Sequence, residues 1–204
     1  MEQKYLIHAS ISNQSCKLND KIVLENTGNL SENDWLKMLY LSFKTDYAKF
    51  YKMDELCKLG LLGVELLKQK TTLPEETDDI ALLFVNKHAS LVSDVQHQAL
   101  INKGTPSPAI FVYTLPNIVL GEISIRNKWY GEQLFLVKNT FPTSLVEDYI
   151  ATIFETEKAN TLIIGQNDCF ENILNGKWAV VRKSDFEAHT EEIIKELINL
   201  FKCL

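Results

Sequence analysis

The sequence predicts an α/β fold in which a central, largely parallel sheet is layered with helices. Two observations predict it. Runs such as Ile80-Ala81-Leu82-Leu83-Phe84-Val85 are apolar without alternation, as in strands covered on both faces. Between such runs lie stretches whose apolar residues recur at helical spacing, residues 53–69 being the clearest. With 204 residues, 46% of them hydrophobic and 24% charged, the chain is expected to form one domain over 1–204.

The elements follow in order. Residues 5–11 and 21–25 gather apolar side chains over strand length, and Asn26-Thr27-Gly28-Asn29 marks a turn. Ser31-Glu32-Asn33-Asp34 supplies N-cap chemistry for a helix carrying Trp35, Leu36, Met38, Leu39 and Leu41. In 53–69 the residues Leu56, Leu59, Gly60, Gly63, Leu66 and Leu67 recur at i+3 and i+4. Gly60 and Gly63 lack the strand–turn context of a nucleotide-binding loop and read as permitting close helix packing. Residues 94–100 are expected to be helical, and Gly104-Thr105-Pro106-Ser107-Pro108 breaks the chain. Residues 134–137 form a second buried strand and 144–156 an amphipathic helix. Residues 160–165 and 178–181 give two more strands, and 184–200 a closing helix with Glu191 and Lys195 at i,i+4.

A formal net charge of −6 without clustered Lys and Arg argues against a nucleic-acid partner. No window approaches the ~18 apolar residues of a membrane helix. The stretch 1–7 lacks the long apolar core of a signal peptide. Cys16, Cys57, Cys169 and Cys203 are widely spaced with no C-x-x-C pair, as free thiols of a reducing cytoplasm are. A soluble cytoplasmic protein, away from membranes, is expected.

The chemistry-bearing residues are few. His88 and His97, with Asp94 between them, form no H-E-x-x-H or two-histidine helical pair and read as surface or loop residues; no metal set is expected. His8 reads as a satisfied structural histidine. Ser90 and Ser93 have no G-x-S-x-G elbow around them. Cys57 lies among leucines and reads as core, and Cys203, near the end, as incidental. Cys169, past an apolar strand, is either a displaced nucleophile or a buried structural thiol, the second being the better reading. Arg126, Lys128 and Lys138 either meet an acidic partner surface or are scattered solvated cations. Trp129 and Tyr130 are rim or core-edge residues. No cofactor fingerprint is present.

One longer stretch carries more. Ser107-Pro108-Ala109-Ile110-Phe111-Val112-Tyr113-Thr114-Leu115-Pro116-Asn117-Ile118-Val119-Leu120-Gly121-Glu122-Ile123-Ser124-Ile125, followed by Tyr130-Gly131-Glu132-Gln133-Leu134, resembles the approach to the catalytic cysteine in β-ketoacyl-acyl-carrier-protein synthases. Three further blocks resemble the same family in the same order. They are Tyr47-Ala48-Lys49-Phe50-Tyr51-Lys52-Met53-Asp54, residues 79–86 with Ser90-Leu91-Val92-Ser93-Asp94, and residues 160–165. The resemblance runs from about residue 47 to 165, covers the N-terminal half of the family, and implies a thiolase-like half.

Alignment on Gly131 and Leu134 places Thr140 where the family has its nucleophile, within Val137-Lys138-Asn139-Thr140-Phe141-Pro142. A threonine hydroxyl is a poor replacement without an adjacent base. Phe141 and Pro142 are bulky where the family has small residues. The family's catalytic histidines belong to a half that the resemblance does not cover.

The resemblance therefore implies a ketosynthase-like protein of fatty-acid or polyketide-type biosynthesis without independent condensing activity. Its role would be that of partner to an active synthase or acyl-carrier protein, similar to chain-length-factor subunits. The alternatives are a 3-oxoacyl-ACP synthase-type acyltransferase using a relocated residue such as Cys169, and a non-catalytic homodimeric scaffold. In the family the strand before the nucleophile pairs across a two-fold axis. Phe135, Leu136, Val137, Asn139 and Phe141 are thus expected at the interface of a homodimer or of a heterodimer with a ketosynthase. A lone half is also expected to leave a sheet face or edge uncovered.

Overall fold

The computed structural model describes residues 4–202. The chain opens with a meander, β1 (Ile7–Ser12), β2 (Ser15–Leu18) and β3 (Lys21–Glu25). Helix α1 (Glu32–Ser42) starts where Ser31 Oγ accepts the Asp34 N–H, as its sequence foretells. A 3-10 turn, Ala48–Lys52, leads to α2 (Glu55–Lys68), whose first turn is capped by Asp54 accepting the Cys57 N–H at 2.9 Å. There follow β4 (Ile80–Asn86), α3 (Leu91–Asn102), α4 (Pro108–Val112), α5 (Ile118–Asn127) and β5 (Gln133–Val137). The chain ends with α6 (Thr143–Glu155), β6 (Thr161–Phe170), β7 (Ile173–Arg182), α7 (Lys183–Ala188) and α8 (Thr190–Phe201).

Among the described residues seven strands form one sheet in the order β3-β2-β1-β7-β6-β4-β5. The α/β layering is the one the sequence predicts, but the sheet is mixed. Parallel pairing is confined to β5-β4-β6, and the remaining neighbours are antiparallel. The cause is local. β2–β3 and β6–β7 are hairpins closed by Asn19-Asp20 and Glu171-Asn172, all four in the left-handed region with φ of 48°, 63°, 49° and 63°. Two-residue turns of that kind return the chain antiparallel beside the strand it left.

β4, buried at every position, lies inside the sheet. On one face Trp35, Leu39, Leu59, Leu62, Val119 and Ile123 from α1, α2 and α5 pack against Phe84, Ile163 and Trp178. On the other, Val146, Ile150, Ile153, Phe186, Ile193, Leu197 and Phe201 from α6, α7 and α8 cover Leu83, Val85, Leu162, Ile164 and Val181. The closing helix is in fact two, broken at His189 (φ −142°, ψ 44°), and the bend brings both Phe186 and Phe201 onto the sheet.

α6, α7 and α8 thus cover β4, β6 and β7 themselves. A cavity of about 500 Å³ remains between β1, β2, β7 and α8, and the strand edges stay open. α3 is also largely bare: Ser93 is its buried residue, while Leu91, Val92, Val95 and Ile101 are exposed. Among the described residues no helix is long and apolar enough to cross a membrane.

Candidate functional site

β5 is the last strand of the sheet, paired with β4 alone. Leu82 donates its N–H to Glu132 O at 2.9 Å and Lys138 donates to Asn86 O at 2.8 Å. Because backbone groups alternate along a strand, those of Gln133, Phe135 and Val137 face the open edge. Side chains alternate likewise. Phe135 packs on the α2-side core, Leu134 and Leu136 on the α6-side core, and Val137 is 48% exposed. A groove of about 370 Å³ runs beside the strand, lined by Pro116, Asn117, Leu120, Gln133, Phe135 and Val137.

Past β5 the turn carries Lys138, Asn139 and Thr140, all exposed. The ring of Phe141 stacks on Phe201, with centroids 4.5 Å apart and planes at 13°. It therefore anchors the turn inward, while Asn139 remains outward. α6 begins only at Thr143, and Pro142 at its N-cap makes no side-chain bond. Thr140 thus precedes the helix rather than occupying its first turn, and no described imidazole or carboxylate hydrogen-bonds its hydroxyl. The helix end that would lower a thiol pKa acts within its own first turn.

A buried polar cluster sits at the C-terminal ends of β4 and β6, comprising Asn86, Gln166, Asn167 and Asp168. His88 Nδ1 lies 2.8 Å from Asp168 Oδ2, and its ring stacks on Phe170 at 4.3 Å. Ser93 Oγ donates to Asp54 Oδ2 at 2.8 Å, and Ser90 Oγ to Thr114 O. Asn167 donates to Leu56 O at 3.3 Å. Its Oδ1 and both polar atoms of Gln166 have no hydrogen-bond partner among the described residues.

Cys169 adjoins this cluster. Part of the residue reaches the surface, yet burial is the main cause that pushes its thiol pKa well up, followed by Asp54, Glu55 and Asp168. Cys57 is raised in the same way, by burial first and then by Asp54. Both are held as thiols, the unreactive form.

The remaining candidates have separate partners. His97 lies against Phe111, with ring centroids 5.4 Å apart, and His8 Nε2 lies 3.1 Å from Asp20 Oδ1. Arg126 sits over the Tyr47 ring, Lys128 pairs with Glu76 at the surface, and Lys138 is exposed on the turn after β5. Trp129 is buried, donating Nε1 to Pro74 O at 2.8 Å, and Tyr130 is exposed. Cys203 lies outside the described residues. Sequence reasoning missed Glu122, which is 2% exposed. It meets Lys49 Nζ at 2.7 Å, Tyr47 Oη at 3.3 Å and Tyr113 Oη at 3.4 Å. The available signal was a lone acid within the apolar stretch 118–125.

No protein-family model matches the chain, and no curated protein matches it. Solved structures do. "The ishigamide ketosynthase/chain length factor" aligns with a TM-score of 0.60 at 9% identity, covering 87% of this chain and 62% of that one. "Ketosynthase (ApeO) in Complex with its Chain Length Factor (ApeC) from Xenorhabdus doucetiae" aligns at 0.57 and 11% identity, covering 86% and 76%. A third, titled "AntDE:AntF (apo): type II PKS acyl-carrier protein in complex with its ketosynthase bound to the hexaketide", aligns at 0.55 and 8% identity, covering 90% and 64%. The chain therefore spans 62% of the length of the first of these. At such identities the likeness carries the fold, which is the thiolase-like fold of ketosynthases and chain length factors.

Proposed function

We propose that the chain is a ketosynthase-like domain over 1–204 that works in cytoplasmic fatty-acid or polyketide-type biosynthesis. It has no condensing activity of its own and acts as partner to an active synthase or its acyl-carrier protein. The observation that carries the proposal is the β5–α6 turn. Thr140 stands there exposed and ahead of the helix, with no described base on its hydroxyl. Decarboxylative condensation needs an activated nucleophile and donors for the enolate-like charge. Cys169, the alternative nucleophile, is held protonated beside the polar cluster, as is the core residue Cys57.

The open β5 edge supports a docking role. Phe135, Leu136, Val137 and Asn139 form the strip next to a partner, and Phe141 braces the turn through Phe201. One structural neighbour is itself titled as a ketosynthase in complex with its chain length factor, the kind of pairing proposed. The test combines copurification with ketosynthases and carrier proteins and intact mass spectrometry after exposure to acyl-CoA or acyl-carrier protein. The chain should copurify with a synthase and gain no acyl adduct. A covalent adduct on the unaltered chain would overturn the proposal and, by peptide mapping, name the nucleophile; Thr140→Cys alongside shows whether the old site keeps its shape.

A further inference from the structure

The cavity of about 500 Å³ between β1, β2, β7 and α8 has a patterned floor. Ser10 on β1 is the register partner of both Lys17 on β2 and Lys177 on β7. All three line the cavity, so they form one row across three strands on one face of the sheet. Two strand spacings set the lysine stems about 9–10 Å apart, with the serine midway between them. Lys195 lines the same cavity from α8.

Like charges on either side of one serine gain nothing from each other. Further along the same face the sheet is apolar, with Leu162, Ile164, Ala179 and Val181 packed under the helices. A basic row beside it, in a chain whose net charge is −6, calls for an anion. The carboxylates of the lining are largely engaged. Asp20 is held by Lys4 and by His8 Nε2, the latter at 3.1 Å. Glu196 accepts the Tyr5 and Leu6 N–H groups at 2.9 and 3.1 Å. Lys177 Nζ donates to Leu200 O at 2.9 Å, which steadies its stem against the end of α8. Lys17 and Lys195 have no ion-pair or hydrogen-bond partner among the described residues, and Glu192 is the one lining carboxylate left to oppose them.

We propose that this cavity binds a small organic phosphate. The phosphate group lies over Ser10, bracketed by Lys17 and Lys177 and met by Lys195, while the organic part rests on Tyr5, Leu6 and Leu200. A phosphate monoester carries a charge of about −1.5 to −2 at pH 7. Three ammonium groups and a hydroxyl match that charge better than they match a single carboxylate. The volume falls among sites for small organic ligands, roughly 300–1,000 Å³. The inference rests neither on Thr140 nor on β5, which lies at the far edge of the sheet from β2 and β1.

The test is calorimetric titration of the purified full chain with inorganic phosphate, phenyl phosphate and benzoate. Phenyl phosphate should bind saturably and inorganic phosphate less tightly. Benzoate has the same ring but a single charge, and should bind at least about tenfold more weakly than phenyl phosphate. Lys17→Gln and Lys177→Gln should each weaken phenyl phosphate at least about tenfold, and Lys70→Gln, past the end of α2, should leave it unchanged. Lys17 is exposed, so its substitution spares the fold, and thermal unfolding of each variant checks this. No saturable binding of either phosphate at millimolar concentration overturns the inference, as does binding that survives Lys17→Gln and Lys177→Gln intact. Benzoate bound as tightly as phenyl phosphate overturns the assignment to phosphate.

Discussion

The indole of Trp178 lies so close to Gly63 that a Cβ added at Gly63 would stand 2.2 Å from its Cδ2. Gly165 and Gly176 complete the slot, with added Cβ atoms 2.6 Å from Cδ1 and 2.1 Å from Cη2. One glycine comes from α2, one from β6 and one from β7. A wholly buried tryptophan therefore sets how near α2 rests on the sheet.

Gly63→Ala should destabilise the fold by roughly 1–3 kcal/mol through overpacking. Helix propensity alone would favour alanine by about 1 kcal/mol, so the sign of the change reports the slot directly. Gly121→Ala in α5 is the control, because nothing lies within 4 Å of its added Cβ, and it should gain about 0.5–1 kcal/mol. Urea unfolding of both variants measures this. A Gly63→Ala protein more stable than the parent would sink the account.

Asp54 links α2 to α3, accepting from Cys57 N–H and Ser93 Oγ. Burial nevertheless raises its carboxyl pKa, outweighing those hydrogen bonds. A raised native pKa gives stability that is full below the unfolded value of about 3.9 and fades as pH rises through the native one. Asp54→Asn keeps an oxygen for the cap and loses the titration. Its deficit against the parent should therefore shrink between about pH 4 and pH 7. Asp54→Ala should lose a further ~1 kcal/mol with the cap at every pH. Urea midpoints across pH test this, and a deficit for Asn that grows with pH would contradict it.

Tyr47 and Tyr113 converge on Glu122, and burial first, then the Glu122 charge, pushes both phenols above the usual tyrosine value. Ultraviolet titration should show Tyr47, Tyr113 and the half-buried Tyr149 ionising late, and Glu122→Gln should bring the first two down. Stability drawn from these phenols is present below about pH 10 and lost as pH climbs through their raised values. Unchanged titration in Glu122→Gln would remove Glu122 as a cause.

Burial lifts the Cys16 thiol to about 11 and holds Cys57 and Cys169 higher than usual. In a Cys203→Ser background the folded protein should react slowly with a disulfide reagent near neutral pH, and fully once unfolded. Rapid labelling of Cys169 in the folded state would revive the relocated-nucleophile reading.

Periodicity made much of the fold legible. The unbroken apolar run at 80–85 became the fully buried β4, and Ser31 and Asp54 sit at helix caps. Gly60 and Gly63 do serve close packing, against Val119 and Trp178. What sequence reading missed were elements defined by pairing rather than pattern. β2 is only Ser15–Leu18, and the polar end of β6, Gln166 to Asp168, is buried by its neighbours rather than by its own hydrophobicity. The mixed sheet follows from turns at Asn19-Asp20 and Glu171-Asn172, of which only the first is a typical hairpin dipeptide. For the candidate site, the edge position of β5 could be expected from the resemblance. The inward stacking of Phe141 and the Asp168 partner of His88 depend on contacts between distant segments, which no local pattern encodes.

The central place of β1 beside β7 constrains the order of events during synthesis. β1 leaves the ribosome long before β7, the neighbour it needs. Until Ile173–Arg182 emerges, the amino-terminal meander has only its own hairpin contacts, and joining the rest requires closing a loop of most of the chain. Nascent chains halted before β7 should consequently be protease-sensitive across β1, β2 and β3, which become protected together once that strand is made.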